Sequence, residues 1–91
     1  RIERSWLGIY VRETSEPGAH IQRIIPGGPA DRAGLKVDDV ILKFDGQAIR
    51  DKNDLRIKSS LAGIGRQVPL LIQRGGQQLT LTMTMGRSPH E

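Results

Sequence analysis

With 14 Lys+Arg against 10 Asp+Glu, the 91 residues carry a formal charge of +4, suit one small domain and leave little room for a second core. Lacking cysteine, the chain can form no disulfide, thiolate metal site or cysteine nucleophile, and its longest apolar run is far too short for a bilayer. The cations are spread from Arg1 to Arg87 with acids between them, and Trp6, Tyr10 and Phe44 are too few for a base-stacking platform, so nucleic acid is not an expected partner.

The chain opens Arg1-Ile2-Glu3-Arg4 without an initiator Met or signal sequence and reads as an excised fragment. Residues 6–12 alternate Leu7, Ile9 and Val11 on one side, the pattern of a strand. Glu13 to Gly18 is a polar loop, and His20 to Ile25 a second strand ending at Pro26-Gly27-Gly28-Pro29. Pro29 suits the first position of a short helix and Gly34 the left-handed residue that closes it, with Leu35 folding back as the apolar contact. Val40 to Phe44 is a strand closed by an Asp45-Gly46 turn. Asp51 to Ala62 is the strongest helix candidate: Asp51 and Asn53 can cap, Asp54 lies in the first turn, and Leu55, Ser59 and Ala62 share a face. Val68 to Gln73 and Gln78 to Met85 make a hairpin across Gly75-Gly76, its second arm alternating Leu79, Leu81, Met83 and Met85 with threonines. Residues 86–91 read as a tail. Five or six strands with two helices make an α+β domain, a small capped antiparallel β-barrel or sandwich.

Catalytic signatures are lacking. His20 opens a strand, as a solvated or partly packed residue, and His90 lies in the tail; no Gly-x-Ser-x-Gly elbow exists, and two histidines without a nearby carboxylate pair do not make a zinc site. Asp38 and Asp39 point to opposite sides if extended, and Asp51 and Asp54 serve the helix start. No enzyme activity, metal or cofactor is expected. Ser5-Trp6-Leu7-Gly8-Ile9 carries a different chemistry: a turn with glycine converges backbone N–H groups on an anion, with Leu7 and Ile9 as apolar neighbours. The same residues also fit a core strand with a bulge glycine.

Ile24-Ile25-Pro26-Gly27-Gly28-Pro29-Ala30-Asp31-Arg32-Ala33-Gly34-Leu35, then Asp38-Asp39-Val40-Ile41 and Asp45-Gly46, resembles the PDZ domains of bacterial HtrA-like (DegP-type) and related envelope proteases. Trp6-Leu7-Gly8-Ile9 resembles the carboxylate-binding loop of that family and Asp54-Leu55-Arg56 the start of its long helix, the likeness running over residues 4–86. It implies one PDZ domain over 1–86, with 87–91 a tail or linker, that takes C-terminal or extended peptide segments as an added β-strand for a serine protease of the bacterial periplasm or cell envelope. Implied partners are protein C-termini, unfolded segments and the parent's catalytic domain, with no membrane insertion; the alternative is an assembly domain without free-peptide selectivity. By that resemblance the amides of Leu7, Gly8 and Ile9 cradle the carboxylate, Trp6 lies beside it, and Ile9 and Val11 supply the ladder while Tyr10 faces the sheet. Arg4 assists the carboxylate, and Leu55, Lys58, Ser59 and Leu61 or Ala62 line the facing helix. Three departures stand out: Ser59 replaces an apolar residue, the 13–19 loop is short, and Val37-Asp38 precedes Asp39 where glycine is common.

Overall fold

The computed structural model describes residues 3–89; Arg1, Ile2, His90 and Glu91, with the first residues of the expected domain and the end of the expected tail, lie outside them. The elements are β1 (Ser5–Trp6), β2 (Ile9–Arg12), β3 (Ala19–Ile24), α1 (Pro29–Ala33), β4 (Val40–Phe44), β5 (Gln47–Ala48), α2 (Lys52–Leu61), β6 (Gln67–Arg74), β7 (Gln77–Thr84) and β8 (Gly86–Arg87). The expected 6–12 strand is broken at Leu7-Gly8, where Gly8 takes φ +79°, so a β1 and a β2 stand in its place.

Six strands form one antiparallel sheet in the order β2-β3-β4-β6-β7, with β5 paired to β4, and the sheet stays open rather than closing into a barrel. A separate two-stranded sheet pairs β1 with β8, Ser5 opposite Arg87 and Trp6 opposite Gly86. The residues read as the beginning of a tail thus start with a strand, and Ser88 N–H donates to the Arg4 carbonyl at 3.0 Å.

Local chemistry explains the connections. Pro29 opens α1, Gly34 closes it at φ 93°, and Leu35 N–H returns to the Ala30 carbonyl. Asp45 and Gly46 both take positive φ, the primed turn that joins β4 to β5. Asp38 holds φ 76°, a conformation aspartate tolerates better than most residues. Asp51 caps α2 by accepting the Asp54 N–H at 2.8 Å, while Asp54 accepts the Arg50 N–H at 3.0 Å and pairs with Lys58.

The core joins Ile21 of β3, Ile41 and Phe44 of β4, Val68, Leu70 and Ile72 of β6, Met83 of β7 and Met85 just after it, together with Leu7 and Leu55. Ile9, Val11, Leu79 and Leu81 pack partly against it. One charged pair is built into this layer: the Asp39 carboxylate, almost fully buried, takes two hydrogen bonds from Arg74 at 2.9 and 2.8 Å and one from Lys36 N–H at 2.9 Å. Burial alone would raise the Asp39 pKa; the hydrogen bonds and positive charge outweigh it and hold the carboxyl below its usual range. His20, expected at the surface or partly packed, is buried at 7% exposure, because β2 and β4 flank it on both sides.

Candidate functional site

The site grows from the break between β1 and β2. The Leu7 carbonyl accepts from Ala30 N–H at 2.9 Å and the Gly8 carbonyl from Ile25 N–H at 3.0 Å, so both carbonyls of the turn point into the domain. Among the described residues, neither Leu7 N–H nor Gly8 N–H donates to the protein, and these amides lie at one end of a groove. Gly8 also permits close packing, since a Cβ there would stand 3.3 Å from Pro29 Cδ and 3.4 Å from the Trp6 ring.

The ladder decides which groups of β2 are open. Ile25 N–H bonding to Gly8 makes Ile9–Ile24 a non-hydrogen-bonded pair, so the N–H and C=O of Ile9 point away from β3 while those of Tyr10, opposite Arg23, point toward it. A bulge follows: the partner jumps from Arg23 to Ile21, leaving Gln22 over. Ile21 uses its own N–H and C=O on Asp39 and Asp38, each at 2.9 Å, so Val11 opposite it is open like Ile9. Because β2 is an edge of the sheet, these groups border open space. Side chains alternate accordingly: Ile9 and Val11 pack toward the core, while Tyr10 is 51% exposed with Arg23 over its ring at 5.1 Å.

Across from β2 lies α2. The groove between them has a volume of about 260 Å³ and is lined by Trp6 to Val11 on one side and by Lys52, Leu55, Arg56 and Ser59 on the other. The structure therefore brings Trp6, Leu7, Gly8, Ile9, Tyr10, Val11, Leu55 and Ser59 together. It places Lys58, Leu61 and Ala62 around a different depression with Phe44 and Ile57, and Arg4 on the exposed surface outside the groove lining. For Lys58 and Leu61 helical geometry is the reason: with 3.6 residues per turn, Lys52, Leu55, Arg56 and Ser59 form one stripe and those two fall on its flank. Ala62 continues the stripe past Ser59 but packs against the core instead of the groove. Lys58 is engaged there by Asp54, whose carboxyl is held below its usual range by the Lys58 hydrogen bond first and the Arg50 N–H second. Lys52 and Arg56 are the groove residues that the sequence reading missed; the i, i+3, i+4, i+7 stripe through Leu55 and Ser59 was the signal that could have found them.

Ser5 ties the two walls. Its hydroxyl accepts the Gly63 N–H at 3.0 Å and donates to the Ser59 carbonyl, standing where the last i→i+4 rung of α2 would otherwise close. Among the described residues no cluster of three metal-ligating side chains occurs.

The PDZ domain family matches residues 5–85. A DegP-like "probable periplasmic serine endoprotease" of Marinomonas sp. is 28% identical over all of this chain, which covers 22% of its length. The solved HtrA-type protease AlgW with decapeptide is 28% identical over 98% of the chain and superposes with a TM-score of 0.89, this chain covering 31% of it. The HtrA3 PDZ domain bound to a phage-derived ligand has the same fold at 23% identity and a TM-score of 0.78, with 96% of this chain and 89% of that one covered. The chain thus spans about a fifth of the curated relative and a third of the protease structure.

Proposed function

The chain belongs to the PDZ domain family, and on that premise we propose that it captures C-terminal or extended peptide segments by β-strand addition in the groove between β2 and α2. One observation carries the reading: the open backbone groups of Ile9 and Val11 lie on an edge strand that starts at the inward-turned carbonyls, and outward amides, of Leu7-Gly8. A ligand strand entering antiparallel to β2 brings its terminal carboxylate to those amides and its last side chain against Leu7, Ile9, Leu55 and Ser59. Ser59 gives that apolar wall one polar, buried position.

In this reading residues 1–86 act as the module and 87–91 as the connection beyond it, whose first residues Arg87 and Ser88 are still held against the module by β1 and the Arg4 carbonyl. The module has no catalytic centre and recognises substrate or regulatory peptides for a serine protease of the periplasm or cell envelope, whose catalytic domain is its partner. The relative's name and the peptide-containing protease structure support that assignment. Neither nucleic acid binding nor membrane insertion is part of it; no described helix is long and apolar enough to cross a membrane. The competing reading is an assembly contact with the groove filled by a neighbouring domain, and it predicts no selectivity among free peptides.

Titration of Trp6 fluorescence with matched peptides separates the two. A peptide with a free C-terminus and an apolar last residue is expected to bind tenfold or more tighter than its amidated form, since a charge-assisted hydrogen bond contributes about 1.5–3 kcal/mol. N-methylation of the third residue from the end, whose amide faces the Val11 carbonyl, is expected to cost about 1–3 kcal/mol. Equal affinity of the amidated form refutes C-terminal recognition, and equal affinity of the methylated form refutes strand addition.

A further inference from the structure

The groove's charged lining is of one sign. Lys52 and Arg56 stand on the α2 wall, and among the described residues no carboxylate lines the groove with them. Where the groove opens beyond Val11, a second depression of about 400 Å³ shares Lys52 and Arg56 and adds Arg12 from the end of β2. Two acids lie at this mouth, and both are engaged: Asp51 caps the helix through Asp54 N–H, and Glu13 pairs with Lys52 at 3.0 Å. That pair is exposed on both sides, so a ligand carboxylate can replace Glu13 at little cost. Arg56 donates to a neutral partner, Asn53 Oδ1, at 2.7 Å, which leaves its charge uncompensated.

Building on strand addition as proposed above, we infer that the groove selects peptides carrying an acidic side chain upstream of the apolar C-terminal residue, read by Lys52 and Arg56 with Arg12 at the mouth. The spacing locates the position. From Ser59 to Lys52 the helix rises about 10 Å at 1.5 Å per residue, which an extended ligand covers in about three residues at 3.3 Å each. Ligand side chains alternate, and those sharing the direction of the last one are the third and fifth from the end. The acid belongs at one of these two. Specificity of this kind comes from complementary charge at a partly exposed wall, so it acts as selectivity and faster encounter more than as raw affinity.

The test uses free-carboxylate heptapeptides ending in valine, with Glu, Gln or Lys at the third or fifth position from the end, titrated against this chain. Glu is expected to bind about three- to tenfold tighter than Gln at one of the two positions, and Lys weaker still. The Glu-over-Gln ratio is expected to fall toward one near 0.5 M salt, where the screening length is a few ångströms, and in the double variant Lys52→Gln, Arg56→Gln. Binding of all peptides with equal Glu and Gln affinities overturns the acidic selectivity and leaves strand addition standing. Binding by none of them overturns both. The wild-type ratios decide the matter even if the double variant folds poorly.

Discussion

Replacing Ser5 by Ala removes one oxygen atom and two hydrogen bonds. The Ser5 hydroxyl sits inside the last turn of α2, taking Gly63 N–H and donating to the Ser59 carbonyl, and Ser5 is only 4% exposed. Water cannot easily replace it there. Each buried hydrogen bond contributes about 1 kcal/mol, and a partner left unpaired raises the loss, so Ser5→Ala is expected to cost about 2–3 kcal/mol. For a domain of this size that lowers Tm by roughly 8–24 °C. Chemical denaturation with a two-state fit gives the free energy directly, and peptide titration reports whether the α2 wall keeps its place. Ser60→Ala is the control: its exposed hydroxyl only bonds back to the Ile57 carbonyl within the helix, and the change should stay within about 0.5 kcal/mol. If Ser5→Ala costs no more than Ser60→Ala, the helix closes its own last rung to Gly63 and the bridging account is wrong.

Two further perturbations probe the scaffold. Arg74→Ala leaves the Asp39 carboxylate buried with only Lys36 N–H, at a cost of about 2–3 kcal/mol near neutral pH. The lowered Asp39 pKa means that this contribution is present above the unfolded carboxylate pKa of about 4 and is lost as pH falls through the folded value, so acid unfolding of the variant should start at higher pH than in wild type; identical acid transitions would refute the coupling. Gly18→Ala and Gly46→Ala share positive φ of 93° and 83°, but only at Gly18 does the new Cβ meet Val40 Cγ1 at 2.8 Å and the Ile41 carbonyl at 3.0 Å. Thermal melts should therefore show about 1–2 kcal/mol lost at Gly46 and several at Gly18, and equal losses would mean that backbone conformation alone sets the cost.

Much of this was legible from the chain itself. Pro29 and Gly34 bracket α1, Asp51 caps α2, and the alternation through Met83 marks β7, because each signal is local and has a direct backbone cause. The turn at Leu7-Gly8 was legible only in part: the glycine suggested a turn, but the alternation of Leu7, Ile9 and Val11 read as one strand running through it. What escaped were features set by partners distant in sequence. Two-residue strands such as β8 carry no periodicity, the Ser5 bond spans 58 positions to Gly63, and the burial of His20 depends on strands to either side. Lys52 and Arg56 were missed because an exposed basic residue at a helix start reads as a solvated surface until the edge strand opposite is known.

The pairing of β1 with β8 has a mechanical meaning. Ser5 faces Arg87 and Trp6 faces Gly86, the Arg4 carbonyl holds Ser88 N–H, and Glu3 and Arg87 form an ion pair at 2.9 Å, so the chain enters and leaves side by side. Tension applied between residues 3 and 89 loads this short ladder by peeling, one bond at a time, rather than by shear across all of it. The next residue in the line of force is Ser5, which holds the last turn of α2. Ser5 thereby links the paired ends of the chain to the last turn of α2, the far wall of the groove.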